Sequence, residues 1–214
     1  MESAYDKTTI ESFLHELSSK APTPGGGSVA ALSGSIAASL VLMVVNLTLG
    51  KERFEAQEPV LKEIMNESEL IRDQLRHLID ADMTAYQRVI AAYRSPKTTE
   101  EEKEKRKDLI RKALKYATDV PLETAQSCLE VLELSQRLCP IGNPNAVTDI
   151  GVAARIGEAA LQSALYNVDI NCNSMKDSEE VDRYREKRRD IAEKGSSLKR
   201  EIASAVEAAL SQGH

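Results

Sequence analysis

The residues in this chain best suited to chemistry are polar groups on helix faces otherwise written for a dry core. Between residues 71 and 93, apolar residues recur at helical spacing as Ile71, Leu75, Leu78, Ile79, Tyr86, Val89, Ile90 and Tyr93. The position that completes the series between Leu78 and Tyr86 is Asp82. A carboxylate in an apolar stripe is costly unless it is paired or protonated, and burial raises its pKa. A raised pKa suits a group that both takes and returns a proton near neutrality. Asp80 falls about 200° away round the helix, on the polar face with Arg76 and Thr84, where an i, i+4 pair with Arg76 accounts for it. The two acids are therefore not expected to work as a dyad.

A later helix repeats the anomaly. Its inward series runs Asp149, Ala153, Ile156, Ala160, Ser163 or Ala164, Asn167 and Asn171. Asn167 and Asn171, one turn apart, offer amide donors and acceptors that suit a ligand with fused amide-like edges, such as a pterin; hydrogen bonds between helices are the alternative. Asp149 in the first turn serves either the helix dipole or a site. The turn Gly25-Gly26-Gly27-Ser28 opens a long apolar helix, where backbone N–H groups and the positive dipole end are free. It is not a P-loop, because no Gly-Lys-Ser/Thr follows.

Helices must position these groups. Alanine fills 25 of 214 positions, aromatics only 4%, and Trp is absent, a composition that favours helices over sheets. A first helix carries Ile10, Phe13, Leu14 and Leu17 as its stripe and stops at the Pro22 to Gly27 breaker. Residues 28–49 are apolar or small on nearly every face, as in a central buried helix. Ser28, Ser33, Ser35, Ser39, Asn46 and Thr48 dilute the run too far for a membrane span. A third helix spans residues 59–93. A fourth begins in the charged run 100–111, kinks or restarts at Pro121, and resumes to 138. Residues 146–171 and 178–210 complete the set. The expectation is an all-α, bundle-like single domain over 1–214, built around the Ala-rich helix and dimerising through it.

The chain carries a formal charge of −6 and a pI near 5.3, which argues against nucleic-acid binding. Cys128, Cys139 and Cys172 form no CxxC pair and read as reduced thiols. His15, His77 and His214 are scattered, so no metal site is expected. The N-terminus lacks the pattern of a signal peptide, and the expected location is cytoplasmic.

Taken in order, Pro24-Gly25-Gly26-Gly27-Ser28, Asp80-Ala81-Asp82, Pro96-Lys97-Thr98, Val120-Pro121-Leu122, Gly142-Asn143 leading to Asp149, and Asn167 with Asn171 resemble the formiminotransferase-cyclodeaminase family. The similarity is to its cyclodeaminase part and runs from about Thr8 to Ala205. Thr148 stands where the family often has Ser, and keeps the hydroxyl. The resemblance implies a dimeric helical fold, a folate substrate, and an acid/base aspartate at Asp82. Asp149, Asn167 and Asn171 are then expected to orient the pterin, with Asn143 in the same binding set. The 25–28 turn approaches the ligand through its backbone, and Lys97 is a candidate for the glutamate tail. No cofactor beyond the folate is expected. The leading expectation is formiminotetrahydrofolate cyclodeaminase, as in histidine degradation. Methenyltetrahydrofolate cyclohydrolase and a non-catalytic helical interaction protein are the alternatives.

Overall fold

The computed structural model describes residues 8–212, all of whose regular structure is helical. The segment read against a signal peptide begins in residues 1–7, and these, like His214, lie outside the described residues. Six α-helices follow in order: α1 (Ile10–Leu17), α2 (Gly26–Asn46), α3 (Glu58–Arg94), α4 (Glu100–Leu138), α5 (Val147–Cys172) and α6 (Ser178–Gln212). A short 3-10 helix at Glu52–Gln57 precedes α3, and another at Pro144–Ala146 precedes α5.

Helices α2 to α5 form a closed, up-and-down ring. Ser28 of α2 meets Asp82 of α3 while Gly34 faces Leu75, so these two helices run antiparallel. Gln74 and Glu67 of α3 reach Glu123 and Arg137 of α4. Asn171 and Gly157 of α5 face Ala117 and Leu132 of α4. The ring closes where Gly26 and Ala37 of α2 approach Asn167 and Gly157 of α5. Helix α6 packs antiparallel to α5, with Val206 against Gly151 and Leu161 against Gly195.

The polar residues of α2 do not dilute it as far as expected, since it is long and apolar enough to cross a membrane by length and composition alone. What marks it as a core helix is that its residues are the middle of this core. Ala31, Ala37, Val41, Val44 and Val45 are fully buried. Its small residues permit close approach: a methyl at Gly34 would stand 2.6 Å from the Cys128 sulfur. One strip stays open, with Ile36, Met43 and Leu47 each more than a third exposed.

Three expectations change. In α1 only Phe13 is buried and Leu17 packs beside the core, while Ile10 and Leu14 are exposed. The far end of the α3 stripe also leaves the core, because α3 and the start of α4 run on as a hairpin past the ends of α2 and α5; Tyr86 and Tyr93 are accordingly exposed. Finally, α4 passes through Pro121 as one helix from Glu100 to Leu138. Proline removes the N–H that would bond the carbonyl four residues earlier, at Ala117. Asn171 Nδ2 of α5 donates to that carbonyl instead, so the break expected at Pro121 is repaired from outside the helix.

Candidate active site

The N-terminal end of α2 is where the unusual polar residues converge. A helix start leaves backbone N–H groups without intrahelical partners. Asp82, projecting from α3, supplies a partner across the helix interface. Its Oδ2 accepts from the Ser28 amide at 2.9 Å and from the Ser28 hydroxyl at 2.8 Å. Among the described residues no cation pairs with Asp82. Burial pushes its carboxyl above the ordinary aspartate range, and the two Ser28 hydrogen bonds pull the other way without cancelling it.

The second oxygen explains the glycine at position 27. A Cβ built there would lie 2.1 Å from Asp82 Oδ1 and 2.6 Å from its carboxyl carbon. The carboxylate therefore rests directly against the Gly27 backbone, and any side chain would expel it. Ser28 consumes Oδ2, while Oδ1 has no hydrogen-bond donor among the described residues. One oxygen is thus fixed and the other is free to exchange a proton. Gly26 is exposed and Asp82 only half-buried, so solvent reaches this junction. Asp80 is also half-buried, with Oδ1 shielded from solvent, which corrects its expected place on a wet face.

Asn167 joins the junction from α5. Its Nδ2 lies 3.9 Å from where a Gly26 Cβ would stand and donates to the Ser163 carbonyl at 3.0 Å. One turn further on, Asn171 spends a donor on the Ala117 carbonyl released by Pro121. The hydrogen bond between helices that the sequence left open as the alternative is thus made by Asn171, and its acceptor is the carbonyl that a mid-helix proline orphans four residues back. Both asparagines are half-buried, and their side-chain bonds run through Nδ2, so that neither side-chain oxygen accepts a hydrogen bond among the described residues.

The remaining expected residues lie elsewhere. Asn143 is buried at the other end of α2, where Nδ2 donates to the Leu47 carbonyl and Oδ1 caps the Asn145 amide. Its own amide donates to Thr48 Oγ1 at 2.9 Å. Helix α2 separates the two ends by about 30 Å. Asp149 begins α5 at that same distant end, about 27 Å along the helix from Asn167. Within one chain Asn143 and Asp149 therefore stand apart from Asp82, and the fold of a single copy does not bring the expected binding set together. Lys97 is exposed in the α3–α4 loop. No three His, Cys, Asp or Glu side chains group closely enough to hold a metal ion among the described residues.

Residues 9–190 match the formiminotransferase-cyclodeaminase family. A methenyltetrahydrofolate cyclohydrolase from Methylorubrum extorquens is 46% identical over 169 residues, spanning 79% of this chain and 81% of that protein. The formimidoyltransferase-cyclodeaminase of Rattus norvegicus is 32% identical over 181 residues, 85% of this chain, but the match spans only 33% of the rat protein. Among solved structures, formiminotetrahydrofolate cyclodeaminase from Thermotoga maritima superposes with a TM-score of 0.79 at 27% identity, covering 96% of this chain and 97% of that one. Sequence match and shared architecture agree: the chain belongs to the formiminotransferase-cyclodeaminase family of folate one-carbon enzymes.

Proposed function

We propose that this chain is a methenyltetrahydrofolate cyclohydrolase in which Asp82 is the acid/base residue. The observation that carries the site is the divided carboxylate: Oδ2 locked by Ser28, Oδ1 open beside Gly27, and no cation to hold the group ionised. The order of reactions reverses the expectation from the sequence, because the 46% identical relative that matches along most of its length is named for hydrolysis.

Water attacks the methenyl carbon bridging N5 and N10 as Asp82 takes one of its protons, giving a neutral carbinolamine. The protonated Asp82 then returns that proton to N5 as the carbon–N5 bond breaks. The carbinol hydroxyl loses its proton to solvent, leaving 10-formyltetrahydrofolate and one released proton. A carboxyl of raised pKa suits both steps. In this reading the side-chain oxygens of Asn167 and Asn171 accept from the amino and lactam N–H groups of a pterin, beside the Gly26–Gly27 start of α2, whose first amides lack intrahelical partners.

The cyclodeaminase reading is favoured by the Thermotoga structure, which matches almost the whole chain. There N10 would attack the carbon of the protonated formimino group, and Asp82 would take the N10 proton and pass it to the resulting amine, which leaves as ammonia. Separate incubations with 5,10-methenyl- and 5-formiminotetrahydrofolate, following methenyl absorbance and ammonia, decide the matter. Enzymatic loss of methenyl absorbance alone supports hydrolysis; its appearance with ammonia supports cyclodeamination; neither, in a folded protein, rejects both.

The proposal includes a homodimer. Ile36, Met43 and Leu47 form an open strip on α2, and Val152 of the adjoining α5 is exposed too, apolar surface that a symmetry mate would cover. A stable monomer in light scattering at micromolar concentration contradicts that assembly.

A further inference from the structure

We infer that the cavity where the α3–α4 hairpin meets the α5–α6 loop is the seat of the substrate's anionic tail. This rests on the folate reading above. The cavity measures about 610 Å³. Its apolar floor includes Ile110, Leu114 and Met175. Five cations line it against three carboxylates, a local positive excess in a protein of net charge −6.

Most of that charge is already matched. Lys103, Lys107 and Arg111 each pair with an acid one turn back on α4. Glu180 pairs with Lys115, and Asp177 accepts from the Glu180 amide at the start of α6. Arg106 and Lys176 make no ion pair among the described residues. Arg106 donates to the Tyr93 carbonyl at 3.1 Å and lies over the Tyr93 ring, yet its Nε is shielded from solvent without a hydrogen-bond partner. A buried donor left unmade is costly. A carboxylate entering the cavity can draw the guanidinium outward and satisfy it in a forked contact, with Lys176 closing on the other side.

The spacing fits one ligand bridging both places. Asn171 bonds to Ala117, and Leu114 of the cavity floor lies one turn back along α4. Thr118 Oγ1 meets the sulfur of Met175, another floor residue. Along α3, Tyr93 at the cavity rim is about 16 Å from Asp82, a distance that an aryl ring and its glutamyl amide can cross. The apolar floor suits the ring, and Arg106 and Lys176 suit the carboxylates. Lys97 does not line the cavity, so the tail role expected of it passes to these residues.

The test uses p-aminobenzoyl-triglutamate, which carries the tail without pterin or one-carbon unit, titrated calorimetrically into the full chain. Binding should weaken about tenfold in Lys176→Glu, an exposed turn position, and in Arg106→Gln, while Lys97→Glu should bind as wild type. Steady-state kinetics on methenyltetrahydrofolate should show KM raised in Lys176→Glu with kcat unchanged. No binding by wild type, equal binding by all variants, or displacement by inorganic phosphate at matched concentration overturns the tail assignment. Turnover with KM unchanged in Lys176→Glu sinks the tail site and leaves the reaction standing. Tail-dependent binding without turnover does the reverse.

Discussion

The two ends of α2 use similar polar residues to opposite purposes. At its C-terminal end Thr48 and Asn143 close a local network: Asn143 bonds Leu47, Thr48 and Asn145, and Thr48 Oγ1 also donates to Val44. These valences are consumed, and the result is a pinned loop. At the N-terminal end Ser28 satisfies only one oxygen of Asp82, Asn167 and Asn171 keep acceptor oxygens, and Gly26 is open to solvent. A polar residue inside a bundle is not in itself a sign of chemistry. What distinguishes the site is capacity left over after the fold has taken its share.

The sharpest way to break this contrast is Gly27→Ala. The added methyl would occupy the space of Asp82 Oδ1, so the carboxylate must move. Turnover should fall by at least ~10²-fold, the scale of a lost acid/base group, and the melting temperature should drop with it. Wild-type turnover in Gly27→Ala would show that the contact is not needed.

A smaller effect concerns the repaired helix. Asn171→Ala leaves the Ala117 carbonyl without its donor and should cost about 1–3 kcal/mol of stability. Pro121→Ala restores an N–H within α4, so the same change should cost less in that background. A denaturation double-mutant cycle with no coupling between positions 121 and 171 would contradict the repair.

At the closed end, Asn143→Ala should cost about 1–2 kcal/mol of stability through its lost loop contacts. Turnover per folded molecule should stay close to wild type, since about 30 Å separates it from Asp82. A specific loss of kcat with stability intact would bring the far end into the site, and would place it there through a second copy.

The smallest effect is the pH dependence of stability. Burial holds the Asp82 carboxyl above its ordinary value, so the folded chain binds that proton more tightly than the unfolded one. Its contribution is fully present below the ordinary aspartate pKa and is lost as pH rises through the raised value. Stability of wild type relative to Asp82→Asn should therefore decline across that window and level off above it. Thermal melts of both proteins from pH 3 to pH 8 give the difference; a rise with pH would reverse the sign and place the carboxyl below its ordinary range.

Much of this was legible in the sequence because helical periodicity reports burial directly. The intrusion of Asp82 into an apolar stripe follows from a 3.6-residue period, and the buried α2 from a run that is apolar or small on nearly every face. Periodicity describes only one helix at a time, however. It did not reveal that α3 outlasts its neighbours, which is why Tyr86 and Tyr93 lie in the open. Nor could it place Asn143 and Asp149 at the far end, because that separation depends on how α2 and α5 run side by side. Arg106 and Lys176 were hidden in a charged run and a loop, where solvation explains most lysines and arginines. Only their meeting across α4 and the α5–α6 loop marks them.

The central claim is that Asp82 moves the proton, and it is tested most directly by turnover of 5,10-methenyltetrahydrofolate in Asp82→Asn. Asparagine keeps the size and an oxygen for Ser28 to bond, so circular dichroism and melting should report a folded protein. The expected result is a loss of at least ~10²-fold in kcat with that fold intact. Near-normal kcat in the folded variant would contradict the claim and leave Asp82 as no more than the residue that caps α2.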